Sequence, residues 1–214
     1  HAAPLVLRQL KLELARLCEE HPAAALALVD VLWQDEYLEP RMLAASLLGM
    51  VPLQPAGEVR QRIQEWGSAD LDVPLLDSLI EEGGQRIRRE KPEFWLELVE
   101  RWLSDLSVQM RVVGLRALLP LVRDRNFENL PRVYRLTSQL VQSGQPELQG
   151  DLLQLIQTLA QRSPMETAYY LRQMVSISNN SGTARLVRRC LPFFSEEAQT
   201  SLKKALSNRP QPGR

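Results

Sequence analysis

Residues 71–122 read LDVPLLDSLIEEGGQRIRREKPEFWLELVERWLSDLSVQMRVVGLRALLPLV. Apolar residues recur here three and four apart, as in Leu75, Leu76, Leu79 and Ile80, and they do not alternate with polar ones. That period belongs to helices packed on one side, not to strands. The spacing predicts three helices, over 71–82, 93–103 and 107–119. Gly83-Gly84 ends the first, Pro92 opens the second, and Ser104, Asp105 or Ser107 caps the third. The run between Gly84 and Pro92 reads as a loop. Asp77 lies on the first helix, Trp102 near the end of the second and Arg111 on the third.

The same pattern extends outward in both directions. Toward the start, helices are expected over 5–19, 23–33 behind Pro22, 41–50 behind Pro40, and from Pro55 to Trp66, with Gly67 as a stop. Toward the end they follow Asn126–Asn129, Pro146 and Pro164. Two shorter ones, over 183–190 and 195–206, come after the Asn179–Gly182 turn. Pro120 is expected to bend or end the helix that carries Arg111. Trp33, Trp66 and Trp102 stand 33 and 36 residues apart near the ends of comparable helices. The partner helices begin near Pro40, Pro74, Ser107 and Pro146, at spacings of 34, 33 and 39. Two helices per unit at such a period indicate an all-α, HEAT- or armadillo-like α-solenoid, curved, with a concave face suited to binding. A globular helical bundle does not predict that spacing. One repeat domain over 1–207 and a disordered tail over 208–214 are expected.

Composition bounds the function. Among 214 residues no apolar run approaches the length of about 18 that a membrane span needs. The start lacks the basic and apolar segments of a signal peptide, and it opens on His1, as a fragment would. Cys18 and Cys190, with only His1 and His21 beside them, form no zinc pattern; they read as helix cysteines of a reducing compartment, hence the cytoplasm, or the nucleoid of a bacterium. There is no P-loop, GxGxxG, CxxC or HExxH, so no cofactor or metal is expected. One internal histidine leaves little for Ser/His/Asp or Cys/His catalysis. Net charge is zero, but residues 1–100 hold 10 Lys and Arg against 18 Asp and Glu, whereas residues 101–214 hold 16 against 8. A basic half offers a surface to phosphates; attraction between the two halves is the plainer explanation.

Individual residues follow. At about 100° per residue, Asp77 falls away from the Leu75, Leu76, Leu79, Ile80 stripe, beside Val73 and Glu81, facing a neighbouring surface or solvent. Arg111 falls near Leu115 and Leu118 in an apolar sector. A guanidinium there needs a carboxylate, carbonyls or a bound phosphate. Arg116 and Arg123 lie elsewhere and read as solvated. Arg86, Arg88, Arg89 and Lys91 form one basic cluster, either a solvated run or a phosphate contact. Arg185, Arg188 and Arg189 form a second, near a helix start in the basic half, where phosphate contact is more natural.

These residues resemble the AlkD-like DNA alkylation repair proteins, HEAT-like solenoids that act as DNA glycosylases. The resemblance spans roughly residues 5–194. It is carried by Leu32-Trp33 with Glu39 and Ala44-Ala45, by Asp77-Ser78-Leu79-Ile80, by Lys91-Pro92-Glu93 and Trp102, and by the late basic helix 183–189. Arg111 matches the family's arginine if one residue is dropped from the preceding turn. A monomer is expected, and the resemblance implies excision of cationic N-alkylated purines from duplex DNA. Asp77 would stabilise the oxocarbenium ion, and Arg111 would hold a backbone phosphate. The sequence departs from the family pattern where site tryptophans belong, with Val73 before the aspartate and Gln154 two repeats on, and with Gln157 near the position of the following arginine. A non-catalytic scaffold binding a protein or DNA on the concave face is the alternative.

Overall fold

The computed structural model describes residues 4–53, 56–68 and 70–209. Among them every regular element is helical: α1 (Pro4–Glu20), α2 (Pro22–Trp33), α3 (Leu38–Leu48), α4 (Ala56–Trp66), α5 (Val73–Ser78), α6 (Gln85–Glu90), α7 (Pro92–Leu103), α8 (Val108–Arg123), α9 (Leu130–Ser143), α10 (Gln149–Arg162), α11 (Pro164–Ile177), α12 (Ser181–Cys190) and α13 (Glu196–Ser207). A π-helical segment, Leu79–Gly83, continues α5, and short 3-10 turns precede α10 and follow α12. Pro55, expected to start a helix, and residues 210–214 of the expected disordered tail lie outside the described residues.

The punctuation seen in the sequence sets these ends. Pro22, Pro74, Pro131 and Pro164 stand in the first turns of α2, α5, α9 and α11, where a missing N–H costs nothing. Ser107, Asn129 and Asn180 accept backbone N–H groups of the first turns of α8, α9 and α12. Gly144 ends α9 with φ +60°, a left-handed conformation that favours glycine.

The helices cluster into two compact units, residues 1–99 and 100–214, with the division passing through α7. In the first unit α3 packs on α1 and α2, and on another side against α5 and the π segment. Its core includes Val29, Leu47, Leu48, Ile63, Leu75 and Trp95. In the second unit α8 packs on α10 and α10 on α12, while α9 packs on α11 and α11 on α13. Helices of one row also pack against those of the other, giving the two-layer helix pairs of a HEAT-like stack. The first unit holds 10 Lys and Arg against 17 Asp and Glu, the second 16 against 9.

Three expectations are corrected. Arg86 to Glu90 is not a loop but lies within α6; its arginines are drawn into contacts described below. The helix 71–82 is not uniform, because its α-helical part stops at Ser78 and a π turn follows. Pro120 does not end its helix, which runs on to Arg123. A helix-interior proline costs about 3 kcal/mol. Leu118, Leu119, Leu121 and Val122, all buried around it, recover roughly 1.5–3 kcal/mol each.

Among the described residues no helix is long and apolar enough to cross a membrane. Both cysteines are buried free thiols. Burial pushes the Cys190 thiol up to about 12 and raises that of Cys18, to which Glu19 adds, so neither is poised for thiolate chemistry.

Candidate functional site

Asp77 occupies the last turn of α5 with an exposed side chain, while Leu75, Leu76, Ser78, Leu79 and Ile80 around it are buried. The apolar stripe therefore anchors the helix and leaves the carboxylate outward, the orientation that the residue order implies. One turn earlier Val73 is 52% exposed, so the surface beside Asp77 carries a small aliphatic side chain.

The backbone next to Asp77 is fixed from several sides. The Gly84 N–H reaches the Leu79 carbonyl at 3.0 Å, the long-period bond of a π turn. A Cβ on Gly49, just past α3, would lie 1.9 Å from the Glu82 carbonyl oxygen. Only glycine lets these two backbones touch. The Glu82 carboxylate leans back across the joint, accepting from Lys11 Nζ at 2.5 Å and from the buried Ser46 hydroxyl. On the other side Arg88 donates to the carbonyls of Ile80 and Glu81, at the π turn. Its guanidinium stacks 5.1 Å from the centre of the Trp95 ring. Trp95 is fully buried, with its ring directly beneath Gly84. Gly49→Ala is expected to destabilise the protein by about 1–3 kcal/mol, the usual cost of overpacking, read as a lower urea midpoint with unchanged slope.

Arg86 is equally committed. Its Nη1 donates to Glu19 Oε1 and the Met50 carbonyl, both at 2.6 Å, and its Nε to Glu90 Oε1 at 2.9 Å. Two of the arginines read as possible phosphate contacts thus tie α6 to other parts of the first unit. Two of the tryptophans are engaged with each other. Trp66 stacks on Trp33, centroids 4.1 Å apart and planes 6° from parallel, with Arg41 5.2 Å from the Trp33 ring. The 33-residue spacing is the sequence signal for that stack; nothing in the sequence signals the grip of Arg88 on the π turn.

In the second unit Arg111 meets carbonyl-type acceptors. It donates to Gln145 Oε1 at 2.9 Å and to the Leu106 carbonyl at 2.8 Å, and its Nε is buried without a partner. Of the three kinds of partner the sequence leaves open, these acceptors take two nitrogens of the guanidinium. It lines a hollow of about 600 Å³ with Glu100, Asp105, Arg135 and Gln139, in which both signs of charge are mixed.

The row α8–α10–α12 presents a different surface. On α12, Thr183, Ala184, Leu186, Val187 and Cys190 are buried, so Arg185, Arg188 and Arg189 share the exposed side. On the neighbouring α10 the exposed residues are Gly150, Gln154, Gln157 and Gln161, a stripe at helical spacing. Asp151 beside it is paired with Arg116 of α8 at 3.1 Å. Glutamine amides and arginines therefore dominate this face. Among the described residues no group of three or more His, Cys, Asp or Glu is placed to hold a metal.

A family model described as DNA alkylation repair enzyme matches residues 6–190. The chain belongs to that family. Among solved structures it is similar to AlkD2 from Streptococcus mutans, with a TM-score of 0.64 and 13% identity over 88% of this chain and 99% of that one. At that identity the likeness establishes a shared fold. YibA of Escherichia coli aligns over 97% of this chain and 98% of its own, at 15% identity and a TM-score of 0.37. A search of curated proteins finds no match. This member of the DNA alkylation repair family has an exposed aspartate on α5 and a basic α12. At Val73, Gln154 and Gln157 it carries side chains without the aromatic or cationic groups that the resemblance leads one to expect.

Proposed function

We propose that this member of the family binds duplex DNA through the exposed side of α8–α10–α12, and that Asp77 is the group around which excision of cationic N-alkylated purines is organised. One observation carries the binding: Arg185, Arg188 and Arg189 share the exposed side of α12, beside a stripe of α10 that is uncharged. Guanidinium groups neutralise phosphates and release condensed counterions, and amides donate to phosphate oxygens without repelling them. Arg86 and Arg88 are left out of this footprint, because their guanidiniums already donate to Glu19, Glu90 and the Met50 carbonyl, and to the Ile80 and Glu81 carbonyls, inside the first unit.

The chemistry follows from the lesion. A purine alkylated at N3 or N7 is already cationic and leaves readily, so the charge that develops is on the sugar. A carboxylate beside it stabilises the oxocarbenium ion and positions water. Asp77 is exposed and its helix is held rigidly from below, as such a group requires.

Binding without chemistry is the second reading. It is favoured by Val73 in place of an aromatic and by the bonds that Arg111 already makes to Gln145 and Leu106.

The test is duplex affinity as a function of salt. For the parent, log K falls linearly with log salt; Arg185→Gln/Arg188→Gln/Arg189→Gln makes that slope shallower by roughly 2–3, about 0.9 for each phosphate that is no longer neutralised. Affinity independent of salt, or absent, would sink the DNA reading and leave a protein-binding scaffold.

A further inference from the structure

At the C-terminal ends of α8 and α10 lies an open hollow of about 480 Å³, lined by Val122, Arg123, Arg125, Thr158, Gln161 and Arg162. Three of the six are arginines and none is acidic. The nearest carboxylate in sequence, Asp124, turns into its own loop and accepts from the backbone N–H of Asn126 at 2.9 Å and from its side-chain amide.

Helix C-termini ordinarily repel anions, because their carbonyls form the negative end of the dipole. At the end of α8, Arg162 offsets that effect. Its guanidinium donates to the carbonyls of Val122, Asp124, Arg125 and Phe127. One half-buried cation thus discharges the end of α8 and pins the loop that follows it. Arg123 and Arg125 are exposed and line the hollow with Gln161 and with Thr158, whose hydroxyl donates to the Gln154 carbonyl at 2.9 Å. Gln161 is also the last residue of the α10 stripe, so the hollow continues the face already described.

We infer that this hollow holds a phosphodiester of the DNA backbone, with Arg123 and Arg125 as the charged contacts and Gln161 as a neutral donor. The inference presupposes the DNA binding proposed above. It extends the footprint from α12 across α10 to the end of α8.

The experiment compares parent, Arg123→Gln/Arg125→Gln and Arg123→Lys/Arg125→Lys for binding to a short labelled duplex over a range of chloride concentrations, with thermal melting as a check on folding. The Gln pair is expected to bind more weakly and to flatten the salt slope by about 1, while the Lys pair, which keeps the charge, retains the parent slope. A parent that binds with a steep salt slope and a Gln pair that matches it would overturn the pocket but leave α12 as the contact. So would a Lys pair as flat as the Gln pair. A parent with no salt-dependent binding would overturn both. Inorganic phosphate should compete no better than chloride at equal ionic strength; preferential displacement, lost in the Gln pair, would assign the hollow to a free phosphate instead and overturn the backbone contact.

Discussion

Asp77→Asn is expected to lower release of methylated purines from alkylated duplex DNA by about 10²–10³-fold, the cost of removing one group that stabilises transition-state charge. Duplex affinity and the melting temperature should stay at the parent values. The side chain is exposed, and asparagine has nearly the same shape, so the buried stripe of the same helix is untouched. What would disappear, on the mechanism proposed above, is the negative charge that stabilises the sugar cation as the glycosidic bond opens. The measurement is single-turnover release from methylated duplex, since product release then cannot mask the chemical step. Release by the parent that vanishes in the variant establishes a glycosylase. Equal release from both would remove Asp77 from the mechanism. No release from either, with salt-dependent binding intact, leaves a DNA-binding module that kept the scaffold.

Trp95→Ala is expected to destabilise the protein by about 3–5 kcal/mol, as removal of a fully buried aromatic does. Against a typical total of roughly 5–15 kcal/mol, that is a large share. The ring does more than fill volume. It lies under Gly84 and carries the Arg88 guanidinium on its face, and Arg88 in turn holds the carbonyls of Ile80 and Glu81. Loss of the ring should therefore loosen the π turn next to Asp77 beyond the global effect. Urea unfolding reads the stability. Amide exchange over residues 79–84 reads the local part; protection there that falls no more than in α11 would show that Trp95 acts only as core.

Much of the architecture is local chemistry and is legible in the sequence. Prolines in first turns, Ser107, Asn129 and Asn180 as caps, and Gly144 as a stop act within a few residues, so their partners are close in the chain. The outward direction of Asp77 is legible for the same reason, because it follows from the helical period of its neighbours. The tryptophan period is a repeat signal, and Trp33 and Trp66 do meet.

The basic cluster of α6 is not legible in the same way, because charge runs look alike whether solvated or engaged. The partners of Arg86 include Glu19 and Met50, 67 and 36 residues away, and no local pattern announces such pairs. The intrinsic cost of Pro120 argues for a helix end, whereas burial of the last turn of α8 decides otherwise. Arg162 looks like any helix-end arginine until its four carbonyls are seen.

Residue order alone establishes that this chain folds as paired helices at a HEAT-like period, that one half is acidic and the other basic, and that Asp77 stands apart from its helix's apolar stripe. Those properties depend on composition and on spacing within a turn or a repeat. Which arginines remain available is settled by packing between helices. It turns Arg86, Arg88 and Arg162 inward onto acceptors, including distant carboxylates and carbonyls, and leaves Arg185, Arg188 and Arg189 exposed. The physical reason is that a guanidinium goes wherever unsatisfied oxygens need donors, and contact between helices far apart in the chain creates those oxygens.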